Sequence, residues 1–273
     1  MVNLMSSEDV ETKGRSLFEA IQEDDEARVK DFLRENPTFD VNWRNGDGDT
    51  ALHEACYCGH ISIISLLLAH PDIDPNPVNQ WDSTPFLLGC HNHRKGQWYV
   101  PMLRDLRVGL HLRNLSGCTP LQRVASNGFL GIIKCWIALG REMDLGTPGD
   151  ENTDAILAAG KKEHGEVVSL LRRFKEDPVE TRFAARMELG LLDEMAVELF
   201  AAVIFVSDGL LGVRQGDHPT TPASRFFNIA TQLPLELQMV LCFRAVGSPR
   251  EIIRENHSEA AFKSLARILS GAP

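Results

Sequence analysis

Residues Asp47 to Ala69, DGDTALHEACYCGHISIISLLLA, decide the fold of this chain. The residues before Thr50 are turn formers, and Gly48 permits the positive φ that a tight turn needs. Thr50 can cap a helix, because its hydroxyl can accept a hydrogen bond from a backbone N–H of the first turn. Apolar and small residues then recur at helical spacing up to Gly59, and a run of isoleucine and leucine follows. The stretch predicts a turn and two short helices, neither of which can bury its apolar face alone.

This pattern recurs along the chain at a spacing of about 35 residues. Thr50 has counterparts at Thr84, Thr119 and Asp154, and Arg15 occupies the position one step earlier. The slot for the first helix reads TALHEAC, TPFLLGC, TPLQRVA and DAILAAG. The slot for the second helix is filled by GHISIISLLL, GFLGIIKCWI and HGEVVSLL. Turn, cap and both helices therefore repeat in phase, which indicates a stacked array of similar units.

These segments resemble the ankyrin repeat family, whose units are about 33 residues long and carry a T-P-L-H-x-A core. The resemblance covers about residues 13–176. It implies an all-α solenoid of about five repeats with short β-turn fingers. We therefore predict a flexible tail at 1–12, an ankyrin repeat domain at 13–177 and a helical C-terminal domain at 178–273.

The repeat phase is lost after Asp177, but the helical pattern continues. The segment from Arg182 to Val206 reads as one or two helices with a common apolar stripe. That predicted stripe consists of Phe183, Met187, Leu191, Met195, Leu199, Ala202 and Phe205. A loop is predicted for 209–221, and three short helices are predicted at Arg225–Thr231, Pro234–Val246 and Ser258–Leu269. Ser248 begins a further capping box, Ser-Pro-Arg-Glu. No segment shows the two-residue period of a strand.

The bulk composition narrows the classes of partner. The formal net charge is −10, from 28 Lys and Arg against 38 Asp and Glu, and no cluster of five or more basic residues occurs. Non-specific nucleic-acid and anionic-membrane binding need basic patches, so we expect neither kind of partner. The N-terminus resembles no secretory signal, and the most apolar run, 201–206, is too short to span a bilayer. With six irregularly spaced cysteines, this favours reduced thiols in the cytoplasm, with the nucleus as the alternative.

The family resemblance also implies where a partner would bind. In ankyrin arrays, contacts cluster on the concave side, at the turn positions before the threonine and at the residues seven and eight after it. The matching positions here are Asp47, Asp49, Tyr57, Cys58, Gln80, Trp81, Ser83, His91, Asn92, Leu115, Ser116, Cys118, Ser126 and Asn127. An exposed aromatic residue on a turn is a good anchor for a partner, which favours Trp81 and Tyr57. In the alternative interpretation, the Trp81 ring folds back over the neighbouring turn.

The cysteine and histidine residues suggest a metal site at first sight. Cys56, Cys58 and His60 form one group, and Cys90, His91 and His93 form another. Cys56 and Cys90, however, occupy the slot that holds Ala125 and Gly160 in later repeats, so we expect them to be small packing residues. The spacing also lacks the paired pattern of a structural zinc site. We expect no metal and no cofactor, and because no nucleophile is paired with a base, we expect no enzyme activity.

The C-terminal segment leaves two alternatives open. Leu233-Pro234-Leu235-Glu236-Leu237 weakly resembles an F-box, and ankyrin arrays with an F-box-like tail occur among the poxvirus proteins with a PRANC domain. That resemblance implies a substrate adaptor of a cullin-type ubiquitin ligase, with Leu233, Pro234, Glu236 and Leu237 contacting the ligase adaptor. The other alternative is a helical domain that covers the last repeat. The leading prediction is an intracellular, monomeric scaffold that binds a partner protein without catalysis.

Overall fold

The computed structural model describes residues 7–92, 96–208 and 222–247 together with Ala261, with the side chains of 222–225 and 236 excepted. Within these ranges every regular element is a helix, so the all-α prediction is confirmed. The predicted 209–221 loop, the Ser248 capping box and most of the predicted Ser258–Leu269 helix lie outside the described residues.

Contacts within the chain divide it between Ala185 and Arg186 into two units. The first unit holds five helix pairs, α1 (Ser7–Gln22) with α2 (Glu26–Glu35), α3 (Ala51–Cys58) with α4 (Ile61–Leu68), α5 (Pro85–His91) with α6 (Tyr99–Arg104), α7 (Pro120–Ser126) with α8 (Leu130–Leu139), and α9 (Ala155–Lys161) with α10 (Gly165–Glu176). The division falls inside α11 (Pro178–Glu188), whereas the sequence places a boundary in front of that helix.

The helix pairs stack in two layers. Helices α1, α3, α5, α7 and α9 form one layer, and α2, α4, α6, α8 and α10 form the other. In four of the five pairs, the short turn between the two helices contains one residue with a left-handed backbone conformation. This conformation lets the chain reverse its direction within a few residues. Glycine supplies it at Gly59 and Gly128, with φ of 81° and 71°, and Asp24 and Glu163 adopt it with φ of 56° and 62°.

The predicted cap positions begin the first helix of each later pair. Thr84 Oγ1 accepts a hydrogen bond from Leu87 N at 3.3 Å, and Asp154 Oδ1 accepts one from Leu157 N at 2.9 Å. Arg15, by contrast, lies in the middle of α1 and caps nothing. Residues 7–12, predicted to be a tail, form the first turns of α1. The first repeat therefore begins earlier than its spacing from Thr50 indicates.

The repeat position predicted to need a small residue is buried in the repeats that are followed by another repeat. Cys56, Cys90 and Ala125 are all buried between helices. Gly160 holds the same slot in α9, the last first-layer helix, and is exposed. The requirement for a small side chain therefore comes from the neighbouring first-layer helix and ends with the array.

Aromatic packing makes the third repeat irregular. The Phe86 ring lies 5.7 Å from that of Trp98 and 5.6 Å from that of Trp136, measured between ring centroids. A Cβ on Gly89 would lie 2.5 Å from the indole of Trp98, so only glycine fits there. Pro101 lies in the first turn of α6, where its missing N–H breaks no helical hydrogen bond.

Asparagine side chains join successive repeats at the edge where the second helices end. Asn42 Nδ2 donates to Asp72 O at 2.8 Å, and its Oδ1 accepts from Asp74 N at 2.8 Å. Asn76 repeats this arrangement one unit later, donating to Arg107 O at 2.7 Å and accepting from Gly109 N at 2.6 Å. Each amide thus satisfies one backbone acceptor and one backbone donor in the next unit.

The second unit contains the end of α11 and α12 (Leu191–Ser207), α13 (Pro222–Ala230) and α14 (Leu235–Val246). Its core joins α12 with α13 and α14. The buried residues are Ala196, Val197, Phe200, Val203, Ala230, Cys242 and Phe243. The predicted common stripe is wrong, because Gly190 adopts a left-handed conformation with φ of 68° and interrupts the helix. Phe183 and Met187 are exposed as a result, and the buried face of α12 contains Leu192 and Ala196 instead of Leu191 and Met195.

Cys56→Ala should be tolerated, because alanine occupies the same buried slot in the fourth repeat. The loss of one buried sulfur should lower the free energy of unfolding by about 1 kcal/mol, whereas Leu52→Ala in the same helix should lower it by about 3 kcal/mol. Urea unfolding followed by circular dichroism measures both values. A similar loss for both variants, or release of a bound metal from the Cys56 variant, would contradict the packing role.

Candidate functional site

The turns before the first helices project as fingers, and an asparagine closes the finger of the second, third and fourth repeats. Asn79 Oδ1 accepts hydrogen bonds from Trp81 N at 3.0 Å and Ser83 N at 3.1 Å. Asn45 and Asn114 do the same in the second and fourth repeats. Sequence reasoning missed these residues, although an asparagine five positions before each threonine recurs in phase.

Neighbouring fingers are hydrogen-bonded to one another. Gln80 donates to Asp47 twice, from its backbone N to the carbonyl O at 3.1 Å and from Nε2 to Oδ1 at 2.9 Å. Asn79 Nδ2 donates to Asp49 Oδ1 at 2.8 Å. Leu115 N donates to Trp81 O at 3.0 Å, which extends the connection to the fourth finger. The candidate residues Asp47, Asp49 and Gln80 therefore hold the fingers in place.

His53 connects a cap to the next finger. Its Nδ1 accepts a hydrogen bond from Thr50 N at 3.1 Å, so Nε2 carries the proton and donates to Ser83 O at 2.9 Å. Burial lowers the pKa of His53 below 6.5, and hydrogen bonding to Ser83 opposes that shift. This imidazole therefore joins two neighbouring turns.

The candidate residues at the ends of the first helices also have partners inside the array. Asn92 Nδ2 donates to Tyr57 O at 2.7 Å, and Asn127 Nδ2 donates to Cys90 O at 2.9 Å. Ser126 O accepts from His164 Nε2 at 3.1 Å. Ser83 and Cys118 are buried in the array, and Cys58 is half-buried. These positions stabilise the stack and offer little side-chain surface to a partner.

The remaining candidates come together in a cavity of about 410 Å³, which we call the finger groove. It is lined by Tyr57, Trp81, Ser83, Leu88, His91, Asn114, Leu115, Ser116 and Arg123. The rim is apolar and accessible, since Tyr57 is 44% exposed, Trp81 49% and Leu115 68%. Six of the candidate residues line this groove, and sequence reasoning missed Leu88, Asn114 and Arg123.

Arg123 gives the finger groove a positive charge. The nine lining residues include no aspartate or glutamate. The nitrogen atoms Arg123 Nε and His91 Nε2 are buried and have no hydrogen-bond partner in the described part of the chain. Burial lowers the pKa of His91, and the neighbouring Arg123 lowers it further. A comparison of repeats could have singled out Arg123, because the same slot holds Glu54 and Leu88 in the preceding units.

Comparison with known proteins identifies this array. Residues 17–105 match a family model described as ankyrin repeats, in three copies. The chain therefore contains an ankyrin repeat array. Helices α7 to α10 continue the same two layers beyond the matched residues. Ankyrin repeats are protein–protein interaction modules and are normally non-catalytic.

The relatives each match less than half of this chain. A protein of Escherichia coli (strain K12) named as an ankyrin repeat protein, YahD, is 35% identical over 104 residues, which are 37% of this chain and 52% of that protein. Alpha-latrocrustotoxin-Lt1a of Latrodectus tredecimguttatus is 30% identical over 127 residues, 46% of this chain and 8% of the toxin. The ankyrin repeat and KH domain-containing protein mask-1 of Caenorhabditis elegans is 27% identical over 133 residues, 48% of this chain and 5% of that protein. This chain thus spans about half the length of the first relative and far less of the others.

The thiols of the array serve packing. None of the six cysteines forms a disulfide, and burial raises the pKa of Cys56 and Cys90 well above the ordinary value. The described ranges contain no group of three or more His, Cys, Asp and Glu side chains that could hold a metal, and His93 lies outside them. His60 Nδ1 instead pairs with Asp24 Oδ1 of the first repeat at 3.0 Å. No helix among the described residues is long and apolar enough to cross a bilayer.

The array should lose stability as the pH falls, and His53 should cause part of that loss. Its pKa is about 6.5 in the unfolded chain and lower in the folded one, so below pH 6.5 the unfolded state binds more protons. The stability present above this pH is lost as the pH falls towards the folded-state pKa. Protonation at Nδ1 would also break the hydrogen bond from Thr50 N–H, because Nδ1 could no longer accept it. Urea unfolding at about pH 7.5 and about pH 5.5 measures the effect.

In that experiment His53→Gln should reduce the pH dependence of the free energy of unfolding. At neutral pH it should lower this free energy by about 1–3 kcal/mol, because hydrogen-bond partners in the buried network are lost. His111→Gln is the matched control, since His111 is an exposed residue in the same array. Some pH dependence should remain in the His53 variant, because the pKa of His91 is also lowered. An unchanged slope after His53→Gln would contradict this assignment.

Proposed function

We propose that this chain binds a partner protein on the face formed by the fingers and the first-layer helices, with the finger groove as the anchor. The observation that carries the proposal is the exposure of Tyr57, Trp81 and Leu115 around one cavity. Aromatic anchors that fill pockets supply most of the binding energy in protein interfaces. Three large apolar side chains exposed next to one another are also unfavourable in water, so their clustering supports a binding role.

The groove is held open before any partner arrives. The backbone of Trp81 is fixed on both sides, by Asn79 Oδ1 at its N–H and by Leu115 N at its carbonyl. The Tyr57 carbonyl is likewise held by Asn92. A surface fixed in this way loses little conformational entropy on binding, and less of the interaction energy is spent on ordering it. Recognition by a preformed surface, without a chemical step, is the mechanism we propose.

The cysteines bear on where this binding takes place. None of the six forms a disulfide, and the buried thiols pack between helices. Buried cysteines without a disulfide suit a reducing compartment, since disulfides persist mainly in oxidising ones. We therefore propose the cytoplasm as the site of action, with the nucleus as the alternative.

The double substitution Trp81→Ala with Tyr57→Ala should lower the affinity for the partner at least about tenfold. The array should stay folded, because both side chains are about half exposed. The measurement is affinity capture from a lysate of the source cells with quantitative mass spectrometry. Leu106→Ala is the matched control, since this leucine is 82% exposed and does not line the groove. Partners retained equally by both variants would place the binding surface elsewhere.

A second candidate function concerns the second unit, which we propose as the attachment point for a ubiquitin-ligase adaptor. Leu235 and Leu237, in the first turn of α14, are each 51% exposed, and Pro234 in front of them is exposed as well. Leu233 is half-buried, and the side chain of Glu236 lies outside the described part of the structure. Two exposed leucines at the start of a helix offer an apolar contact to a partner.

Leu235→Ser with Leu237→Ser in the full chain tests this second function. Captured cullin and adaptor subunits should disappear with this variant, while any partner of the finger groove should be retained. Ile229→Ser is the control, because Ile229 is an exposed residue of α13 in the same unit. If no cullin or adaptor subunit is captured by the wild-type chain, the ligase function is excluded and the interaction module remains.

A further inference from the structure

We infer that the finger groove recognises an acidic segment of its partner, in which an aspartate or glutamate carboxylate binds Arg123 while a neighbouring apolar side chain packs on Trp81 and Tyr57. This inference rests on the proposed function and adds the chemistry of the partner to it. Its basis is the combination, in one cavity, of an apolar rim with an arginine that lacks a compensating charge.

The first step of the argument concerns the charge of Arg123. Arg123 takes part in none of the ion pairs found among the described residues, and no carboxylate lines the groove. Its guanidinium interacts with the Cys118 thiol, whose pKa is raised by burial, so this neighbouring group is neutral. The chain carries a net charge of −10, which makes an uncompensated cation in an apolar groove unusual for this surface.

The second step concerns the unused hydrogen-bonding groups. Arg123 Nε and His91 Nε2 are both buried without a partner on the same wall. A buried donor that remains unpaired destabilises the folded protein, so a partner group that reaches this wall of the groove would gain from the polar surface there. Approach of a carboxylate to the guanidinium would compensate the charge of this wall. A planar guanidinium binds a carboxylate through two parallel hydrogen bonds, which a single amide cannot reproduce.

The third step concerns the neighbours of the charge. Arg123 shares the groove with Leu88, Leu115 and the aromatic rings. Apolar walls lower the local dielectric constant and strengthen an ion pair formed between them. The partner segment therefore needs a carboxylate and a large apolar side chain close together in sequence. Neither feature alone fills the groove.

Selection of random twelve-residue peptides displayed on phage against the full chain tests this inference. The selected peptides should carry Asp or Glu within about three residues of an aromatic or branched apolar residue. For the best peptide, fluorescence polarisation should give a dissociation constant that rises about tenfold when its acidic residue is replaced by the amide, the equivalent of about 1.4 kcal/mol. This substitution leaves the protein unchanged, so protein folding does not enter the result.

The protein variants complete a double-mutant cycle. With Arg123→Gln, the acidic peptide and its amide counterpart should bind within about twofold of each other, because the coupled pair is already broken. Arg123→Lys keeps the charge but loses the two parallel hydrogen bonds, and should bind the acidic peptide with intermediate affinity. Arg113→Gln is the control, since Arg113 is an exposed arginine of the same repeat that does not line the groove. Circular dichroism confirms that each variant is folded.

The outcomes separate this inference from the proposed function. Peptides that depend on Trp81 and Tyr57 but show no preference for acidic residues would overturn the carboxylate inference and leave the groove as the binding site. Peptides that keep their affinity after Trp81→Ala with Tyr57→Ala, and whose carboxylate is still coupled to Arg123, would support the carboxylate contact and contradict the aromatic contact. Failure to select any peptide, or peptides insensitive to every groove substitution, would overturn both.

Discussion

Hydrogen bonds between each repeat and the next are the constraint on which this structure depends. A pair of helices of eight residues each is too short to be stable alone and leaves the polar groups of its turns without partners. Asn42 and Asn76 satisfy backbone groups of the following unit at one edge, and His53 does the same at the fingers. Because these partners belong to the neighbouring unit, turn geometry and stacking are established together, and the fingers stay ordered without a hydrophobic core of their own.

The finger groove lies where this regularity is weakest. The third repeat has a six-residue second helix, and Trp98 fills the space against Gly89. On the finger side, the position two residues before the small residue holds Leu88 in the third repeat and Arg123 in the fourth. Local departures from a repeat pattern that do not serve stability are expected at functional sites. The aromatic rim and the arginine are both such departures, which agrees with the binding role that we propose for this surface.

The division of labour among the candidate residues follows from hydrogen bonding. Side chains that have partners inside the array, such as Asn92 and Asn127, fix the positions of backbone carbonyls at the ends of the first helices. Side chains without such partners, Trp81 and Leu115 above all, remain available at the surface. These repeats thus contain, within the same few positions, side chains that stabilise the stack and side chains that are exposed at its surface, and the exposed ones are those that we propose for recognition.

The sequence by itself determined the all-α class, the repeat spacing and the caps at Thr84 and Asp154, because these depend on local periodicity and on single residues at helix starts. It also predicted Trp81 and Tyr57 as candidate contacts, because they occupy two positions that recur with the repeat. Only the tertiary structure decided that Arg123 joins them, since a groove forms between units and no spacing within one unit encodes its walls. The same reason accounts for the wrong stripe in α12. The left-handed backbone at Gly190 changes the direction in which the side chains of α12 point. Packing against α14 then determines which face of α12 is buried.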